Sequence, residues 1–464
     1  MDSDSVLTAR PNPLAEGNPK MTLDQVKALS KEKGVNFFLC SYVEMNGAPK
    51  AKVVPATHLD DMAAEGAGFA GFAAGHMGQG PHDPDMMNIP DFGSIQIVPW
   101  RPDTAWVAGN IHVEEKEWPY CPRTILRREL DKAREKGYLL NVGVEAEFML
   151  VSKDEGGVVV PSDPLDILEK PCYDLLTLHR NLDVMTTLIK YMQELGWEPY
   201  ANDHEDGNCQ FEVNWAYRDA LTTADRHTFF KWMVKANAEM HGLTATFMPK
   251  PFENLTGNGA HYHMSLWDPE NKQNLFLDEK DEMGLSREAR WFMGGVLSHA
   301  HGLAAVCAPI VNSYKRLIRG APRSGATWAP VYVTYGGSNR TQMIRVPAPG
   351  RFENRIVDGA ANPYLAIAAL LAAGLDGIEN KIDPGTRNDD NLYEIEEDEL
   401  RRRGIGFLPT NLSEACDCMA EDEVVKNALG AEYADYYISV KREEWRSYHQ
   451  NVTRWETDRY LPIY

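Results

Sequence analysis

Two glutamates, Glu145 and Glu147, sit two residues apart in Val144-Glu-Ala-Glu-Phe148, among otherwise apolar neighbours. Alternate residues of a β-strand point to the same face, so a strand here projects both carboxylates together. The pattern recurs. His261 and His263 alternate in Gly257-Asn-Gly-Ala-His-Tyr-His263, and Arg351, Glu353 and Arg355 alternate in Arg351-Phe-Glu-Asn-Arg355. Glu205 and Glu212 flank a turn-like stretch at 206–209, with Gln210 and Glu212 sharing a face. Any one of these pairs is an ordinary solvated sheet face. Together they set five glutamates and one or two histidines on polar faces of one region, where they repel unless cations lie between them. Hard oxygen donors with at most one imidazole per ion suit Mg²⁺ or Mn²⁺ rather than a structural zinc. Arg316, Arg340, Arg345, Arg351 and Arg355 add permanent guanidinium charge whose shape matches carboxylate and phosphate. Metal ions and guanidinium groups around one sheet face suit phosphoryl transfer, whose main demands are charge stabilisation and positioning.

The elements that must position these groups follow from periodicity and turn signals. Alternation over 36–54 predicts a hairpin turning at Asn46-Gly47, and 94–107 has strand composition. The Gly- and Ala-rich stretch 66–80 reads as a long loop. These make a small β-rich unit with few helices, ending near Val113. Helices are predicted over 124–135, 182–194, 223–240, 286–306, 363–378 and 412–429. Polar-faced strands fall between them, over 139–151, 210–214, 261–266, 342–346 and 351–356. The expectation is an α+β protein: a disordered arm over 1–20, a β-rich domain over 21–113 and a catalytic domain over 114–464.

Charge narrows the partners. Among 464 residues, 47 basic and 68 acidic side chains leave a formal charge of −21, which repels nucleic acid and anionic membranes. The longest apolar run, about 363–375, is too short to span a bilayer, and the polar N-terminus has no signal-peptide core. Seven scattered cysteines argue against a disulfide framework, and Cys416 and Cys418 read as helix residues rather than zinc ligands. The chain reads as cytoplasmic. Neither a Walker A loop nor a dinucleotide glycine fingerprint is present, so a nucleotide must be held another way.

The polar segments also occur in a particular order. Val-Glu-Ala-Glu-Phe at 144–148 is followed by His-Glu-Asp-Gly-Asn-Cys-Gln-Phe-Glu at 204–212, Lys-Pro at 250–251 and Gly-Asn-Gly-Ala-His-Tyr-His at 257–263. Asn-Ser-Tyr-Lys-Arg-Leu at 312–317, Asn-Arg-Thr-Gln-Met-Ile-Arg at 339–345, Arg-Phe-Glu-Asn-Arg at 351–355 and Ala-Ala-Asn-Pro-Tyr-Leu at 360–365 complete the set. In these segments, and from about Thr22 to its C-terminus, the chain resembles the glutamine synthetase superfamily. The resemblance implies an N-terminal β-grasp domain, a catalytic domain with a curved antiparallel sheet flanked by helices, and active sites shared between subunits. The assembly it implies is a dodecamer of two stacked hexameric rings. It implies ATP and two or more Mg²⁺ or Mn²⁺ ions per site, with Glu147, Glu205 and Glu212 on one ion and Glu145, His261 and Glu353 on the other. By the same resemblance His263 approaches the transferring phosphate, and Arg340, Arg345, Arg351 and Arg355 hold the nucleotide and the phosphorylated intermediate. Arg316, Arg355, Gly257 and Gly259 bind L-glutamate. Tyr393, in Asn391-Leu-Tyr-Glu394, resembles a tyrosine that some bacterial members adenylylate.

Two departures from the ammonia-using pattern bear on the substrate. Where those members carry Phe-Asp-Gly to bind ammonium, this chain has Phe69-Ala70-Gly71. Where their mobile flap carries Glu-Ala-Pro, it has Trp328-Ala329-Pro330. Ammonium is small and strongly hydrated and needs carboxylates, whereas an aromatic wall favours a cation bearing methyl groups. The expected reaction is therefore ATP-dependent ligation of a small alkylamine, methylamine above all, to the γ-carboxylate of glutamate through γ-glutamyl phosphate. The resemblance is then to the branch that makes γ-glutamylmethylamide. Ammonia and polyamines are the alternatives, with Asp83, Asp85 and Asp91 as acids that could replace the missing ones. A non-catalytic relative is disfavoured, because all six ligand positions are kept.

Overall fold

The computed structural model describes residues 21–319 and 328–464, so the arm expected over 1–20 lies outside the described residues. Thr22 and Gln25 form a reciprocal capping box, and Gly34, at φ 72°, ends the Leu23–Lys33 helix they open. This helix and Leu59–Glu65 are the α-helices of a unit expected to be β-rich with few helices. The predicted hairpin forms between Phe37–Val43 and Pro49–Pro55, with Gly47 at φ 78° in its turn. Phe37–Val43 also runs parallel to Thr104–Val113, which pairs in turn with Met86–Pro90. The 66–80 segment is not all loop. Ala67–Phe69 is an edge strand against Met86–Pro90, entered at Gly66, where a Cβ would lie 2.6 Å from the Asn88 carbonyl oxygen. Val26, Phe38, Leu59, Met62 and Ile111 fill a core belonging to this part of the chain.

A second sheet, of ten strands, carries the polar segments. Its spine is Leu139–Lys153, antiparallel to Gln210–Trp215 on one side and to Ala260–Trp267 on the other. Pro199–His204 lies beyond the first, and Arg351–Asn354 and then Ile344–Ala348 lie beyond the second. Phe148, Phe211, Tyr262 and Phe352 point into a core that also takes Phe230 and Met233 from Ala220–Met240, Phe292 and Met293 from Arg287–Ser298, and most of Pro363–Asn380. Burying one face fixes the register, because a one-residue slip would drive the carboxylates into that core. The architecture is mixed α+β, as expected.

Helical signals over 286–306 and 412–429 each break once, at His299 and Asp422. The two break residues meet: His299 Nδ1 lies 2.8 Å from Asp422 Oδ2, and its Nε2 lies 3.2 Å from Asp376 Oδ2. Cys416 and Cys418 lie on the Leu412–Glu421 helix, and all seven cysteines are free thiols. No helix among the described residues is long and apolar enough to cross a membrane.

Buried polar groups bind the small sheet to the large one. The Arg123 guanidinium donates to both Asp225 oxygens at 2.9 Å, to Asp91 at 2.9 Å and to Asn110 at 3.1 Å, and the Tyr364 hydroxyl donates to Asp225 at 2.7 Å. Asn362 donates to the Glu44 carbonyl at the hairpin turn at 2.9 Å, and Lys441 donates to Asn46 at 2.8 Å. Arg123 is paired with Asp225 and Asp91, and Lys441 with Glu444 at 3.2 Å, so the buried charges are compensated, the condition under which burial is tolerated.

Candidate active site

Strand register brings the polar residues of four distant segments into one row. Glu147 stands directly opposite Glu212, which stands opposite Asp203. Glu145 is opposite His261, and Glu353 is flanked by His263 on one side and Arg345 on the other. Three sets of donor atoms lie within 4.8 Å of one another: Glu145, Glu212 and His261; Glu145, His263 and Glu353; and Asp203, Glu205 and Glu212. Glu147 is turned toward the backbone. It accepts from the Gly259 amide at 2.7 Å and from Gln210 at 3.2 Å, with its other oxygen 3.8 Å from His261 Nδ1. All six expected ligand residues thus share one face, joined by Asp203, which sequence reading missed although it alternates with Glu205.

Like charges placed directly opposite on a sheet destabilise it, and the titration behaviour of the row reflects this. Burial, reinforced by Glu147 and Asp203, holds the Glu205 carboxyl well above the usual range. Burial, with Glu145, Glu205, Glu147 and Asp203 adding to it, does the same to Glu212. Asp203 is pushed up to about 6 by burial and then by Glu145 and Glu147. The other end of the row behaves oppositely. Burial alone would raise Glu353, but Arg355 and the two histidines outweigh it and lower it to about 2. Burial is likewise outweighed at Glu145, where His263 and His261 hold the carboxyl well below its usual value. Among the described residues no guanidinium or ammonium group pairs with Asp203, Glu205 or Glu212, and the donors there are hard oxygens with a single imidazole nearby. That donor set fits Mg²⁺ or Mn²⁺.

Around this row stand the guanidinium groups. Arg355 and Arg345 both pair with Glu353, Arg345 at 2.9 Å. Arg351 donates to His263 Nδ1, which leaves His263 Nε2 as the donor to Glu145 at 2.7 Å. The buried Nε atoms of Arg351 and Arg355 have no partner among the described residues, which leaves donors for an anionic ligand. Arg316 is buried and donates to the Arg355 carbonyl at 3.0 Å and the Ile356 carbonyl at 3.4 Å. Gly259 is required beside it: a Cβ there would lie 2.5 Å from His261 Nε2 and 2.9 Å from Arg316 Nη2, and at Gly257 one would lie 2.3 Å from the Pro249 carbonyl oxygen. Arg340 is exposed and lines an open cavity of about 760 Å³ together with Trp328, Arg387 and Tyr393.

A narrower cavity, of about 290 Å³, adjoins Glu145, His263 and Arg351 and is walled by Tyr200, Trp215, Tyr217 and Trp267. It has the form expected for a flat aromatic ligand with a charged tail: apolar walls and a few polar groups at one end.

Trp328 lies at the other end of the row. Its indole Nε1–H donates to Asp206 Oδ2 at 2.9 Å, one residue from Glu205. The Tyr393 hydroxyl donates to the neighbouring Ala329 carbonyl at 3.2 Å, so this phenol serves as a tether. Ala70 is exposed at the end of the edge strand of the small sheet. Of the acids expected to stand in for the missing ones, Asp91 is paired with Arg123, and Asp83 accepts from the Gly80 amide at 2.7 Å. The acids at this end of the row are instead Asp203 and Asp206.

A model of the glutamine synthetase catalytic domain matches residues 119–460. A glutamine synthetase of Rhizobium leguminosarum bv. phaseoli is 47% identical over 446 residues, covering 96% of this chain and 100% of the relative. A glutamate–methylamine ligase of Methyloversatilis universalis is 43% identical over 447 residues, with 96% and 100% covered. Among solved structures, a GmaS–ADP complex matches with a TM-score of 0.89 at 48% identity, covering 94% of this chain and 99% of that one.

The carboxylate row generates a pH prediction. Asp203, Glu205 and Glu212 bind protons more tightly folded than unfolded. In metal-free protein their contribution to stability is therefore full below the ordinary Asp value of 3.8 and is lost as pH rises through about 6 and beyond. A divalent cation on the same carboxylates competes with those protons, so its stabilisation grows with pH. Mg²⁺ should raise the melting temperature more at about pH 8 than at about pH 5. Equal gains at both would show that the ion binds elsewhere.

Proposed function

The chain belongs to the glutamine synthetase family, and we propose that it joins methylamine, or an alkylamine of similar size, to the γ-carboxylate of L-glutamate. As a member of this family it is an ATP-dependent glutamate–amine ligase. The observation that carries the choice of amine is Trp328, an indole hydrogen-bonded beside the carboxylates in the place where an acid would serve ammonium. Relatives bear both activities in their names, glutamine synthetase and glutamate–methylamine ligase, and GmaS is a γ-glutamylmethylamide synthetase.

In this reading the aromatic-walled cavity, lined by Tyr200, Trp215, Tyr217 and Trp267, would hold the base of ATP, and Glu145, His263 and Arg351 at its polar end would meet the phosphates. Glu147, Glu205 and Glu212 would hold one Mg²⁺ or Mn²⁺, and Glu145, His261 and Glu353 another; the donor atoms that cluster in the chain are those of Asp203, Glu205 and Glu212, of Glu145, Glu212 and His261, and of Glu145, His263 and Glu353. These ions, when bound, neutralise phosphate charge and lower the barrier to phosphoryl transfer. Glutamate is held by Arg316 and by the backbone left open at Gly257 and Gly259, where no Cβ intrudes. A carboxylate is a poor acyl donor because oxide is a poor leaving group. The γ-carboxylate oxygen therefore attacks the terminal phosphorus, ADP departs, and Arg340, Arg345 and Arg355 meet the charge of the acyl phosphate. The amine nitrogen then attacks the γ-carbon and phosphate leaves. The proton lost by the amine has acceptors in Asp203, Glu205 and Glu212.

Free cysteines and the chain's acidity suit a cytoplasmic setting. Leu165, Ile167, Leu175 and Leu176 are each more than 60% exposed, and Leu461 and Ile463 near the C-terminus are as open, which a lone chain gains nothing from. We assign these surfaces to contacts between copies in a dodecamer of two hexameric rings. Light scattering of the active enzyme should give a mass near twelve chains of 52.1 kDa. An active monomer would refute that assembly.

Two further experiments test the chemistry. With side-chain ¹⁸O-labelled glutamate, one label should appear in inorganic phosphate, and its absence would exclude the acyl phosphate. Burying one methyl is worth about 0.8 kcal/mol, and a cation on an aromatic face adds on the order of 0.5–2 kcal/mol. Together these support a preference for methylamine over ammonium of roughly ten- to a hundredfold in kcat/KM. Trp328→Glu should lower the rate with methylamine and raise it with ammonium. If the wild type uses ammonium at least as well as every alkylamine, the enzyme is a glutamine synthetase proper.

A further inference from the structure

Trp328 adopts φ +45°, in the left-handed region that bulky residues avoid. Such a conformation persists only where the surroundings over-determine it, and it is then a pointer to function. Here the surroundings supply two tethers on consecutive residues: the indole Nε1–H on Asp206 Oδ2 at 2.9 Å, and the Tyr393 hydroxyl on the Ala329 carbonyl at 3.2 Å. The indole itself remains 40% exposed, so packing does not explain its placement. What it gains is a charge-assisted hydrogen bond to a fixed carboxylate.

Asp206 is well placed to give that bond. It follows Glu205 in the turn between Pro199–His204 and Gln210–Trp215, and its amide donates to Glu205 Oε2 at 3.1 Å. The turn is locked from beneath. His204 Nε2 meets Asp166 Oδ2 at 2.8 Å and its Nδ1 donates to the Glu205 carbonyl at 2.7 Å, both side chains being fully buried. The Cys209 amide adds a further bond to the same Asp166 oxygen at 2.5 Å. A rigid turn therefore presents Glu205 toward the carboxylate row and Asp206 toward the indole.

We propose that Asp206 is a positioning residue for the amine site: through its hydrogen bond it holds the Trp328 ring beside Asp203, Glu205 and Glu212, and so sets how the enzyme selects its amine. The proposal deepens the methylamine reading and rests on it for the identity of the amine. Asp206 acts through the ring and need not touch the substrate.

A double-mutant cycle tests this on the intact enzyme. Loss of a hydrogen bond to a charged group corresponds to about a tenfold change or more, so Asp206→Ala and Trp328→Phe should each raise the KM for the preferred amine about tenfold. In the Trp328→Phe background, Asp206→Ala should change that KM by less than about twofold, because the bond is already gone. Asp206→Asn keeps an accepting oxygen and should retain most of the selectivity between methylamine and ammonium. The KM values for glutamate and ATP should stay level throughout, which a merely folding-related role would not leave untouched. Multiplicative effects of the two substitutions, or a fall in kcat shared by all amines with unchanged KM, would overturn the proposal. A wild type that prefers ammonium would sink the methylamine reading alone, since the coupling of Asp206 to Trp328 can be read on the ammonium KM.

Discussion

The register of one sheet forces Glu147 to face Glu212 and Asp203 to face Glu212, and this like-charge crowding governs the rest of the molecule. Cross-strand neighbours lie only about 4.5–5.5 Å apart at Cβ, so their carboxylates cannot separate without breaking the sheet. The repulsion cannot be relieved by a slip, because Phe148, Phe211 and Tyr262 on the opposite face anchor the register in the core. A site so crowded favours any species that brings positive charge. It accepts protons or divalent cations and would, by the same logic, attract an ammonium-type substrate. The stability the row costs is offset by the long apolar helix Pro363–Asn380 and the helices packed around it. Local conflict at a working site, compensated elsewhere, is the usual pattern in functional proteins.

Charge is graded along the row rather than uniform. Arg345, Arg351 and Arg355 crowd the Glu353 end, where carboxyls are held down, while Glu205, Glu212 and Asp203 at the far end have no guanidinium partner among the described residues and are held up. An anion, such as a phosphate, is therefore favoured at one end and a cation at the other. In the proposed reaction this grading would separate the two half-reactions along a single face, with phosphoryl transfer where guanidinium groups gather and deprotonation of the amine where carboxylates lack them. A side chain at Gly257 would collide with the Pro249 carbonyl, and one at Gly259 with His261 and Arg316.

Much of this was legible in the sequence, for a definite reason. Alternation of charged residues within apolar strands exposes a polar face directly, so Glu145, Glu147, His261, His263 and Glu353 could be assigned to one region before any fold was known. The helices over 182–194 and 363–378 carried clean periodicity and formed with nearly the expected bounds. What escaped was information spread across the chain. Asp203 carried the same alternation with Glu205, but its strand, Pro199–His204, has few apolar residues to announce it. The Leu23–Lys33 helix was signalled only by its Thr22–Gln25 capping box. His299 and Asp422 each interrupt a helical pattern for a partner more than a hundred residues away, which no local window can detect. The contact of Asp206 was invisible for a similar reason: Trp328 reaches it from another part of the chain.

Selectivity between ammonium and methylammonium poses a problem that carboxylates cannot solve alone. Both cations carry one charge, and both form strong hydrogen bonds to an anionic oxygen, so a ring of acids binds the smaller, more tightly hydrogen-bonding ion at least as well. Discrimination in favour of the methyl group needs a surface that gains from contact with carbon and loses nothing by excluding water. An indole meets that requirement, and a hydrogen bond from its own N–H keeps the apolar face from turning away. On the proposed reading, the acid that anchors the ring, Asp206, and the acids that face the amine, Asp203 and Glu205, have separate tasks although they lie within four residues of one another. Such a change touches few positions and leaves the phosphoryl machinery intact. Relatives with different amines can therefore share the same fold and a similar level of overall identity, and the substrate has to be read from the amine end of the row.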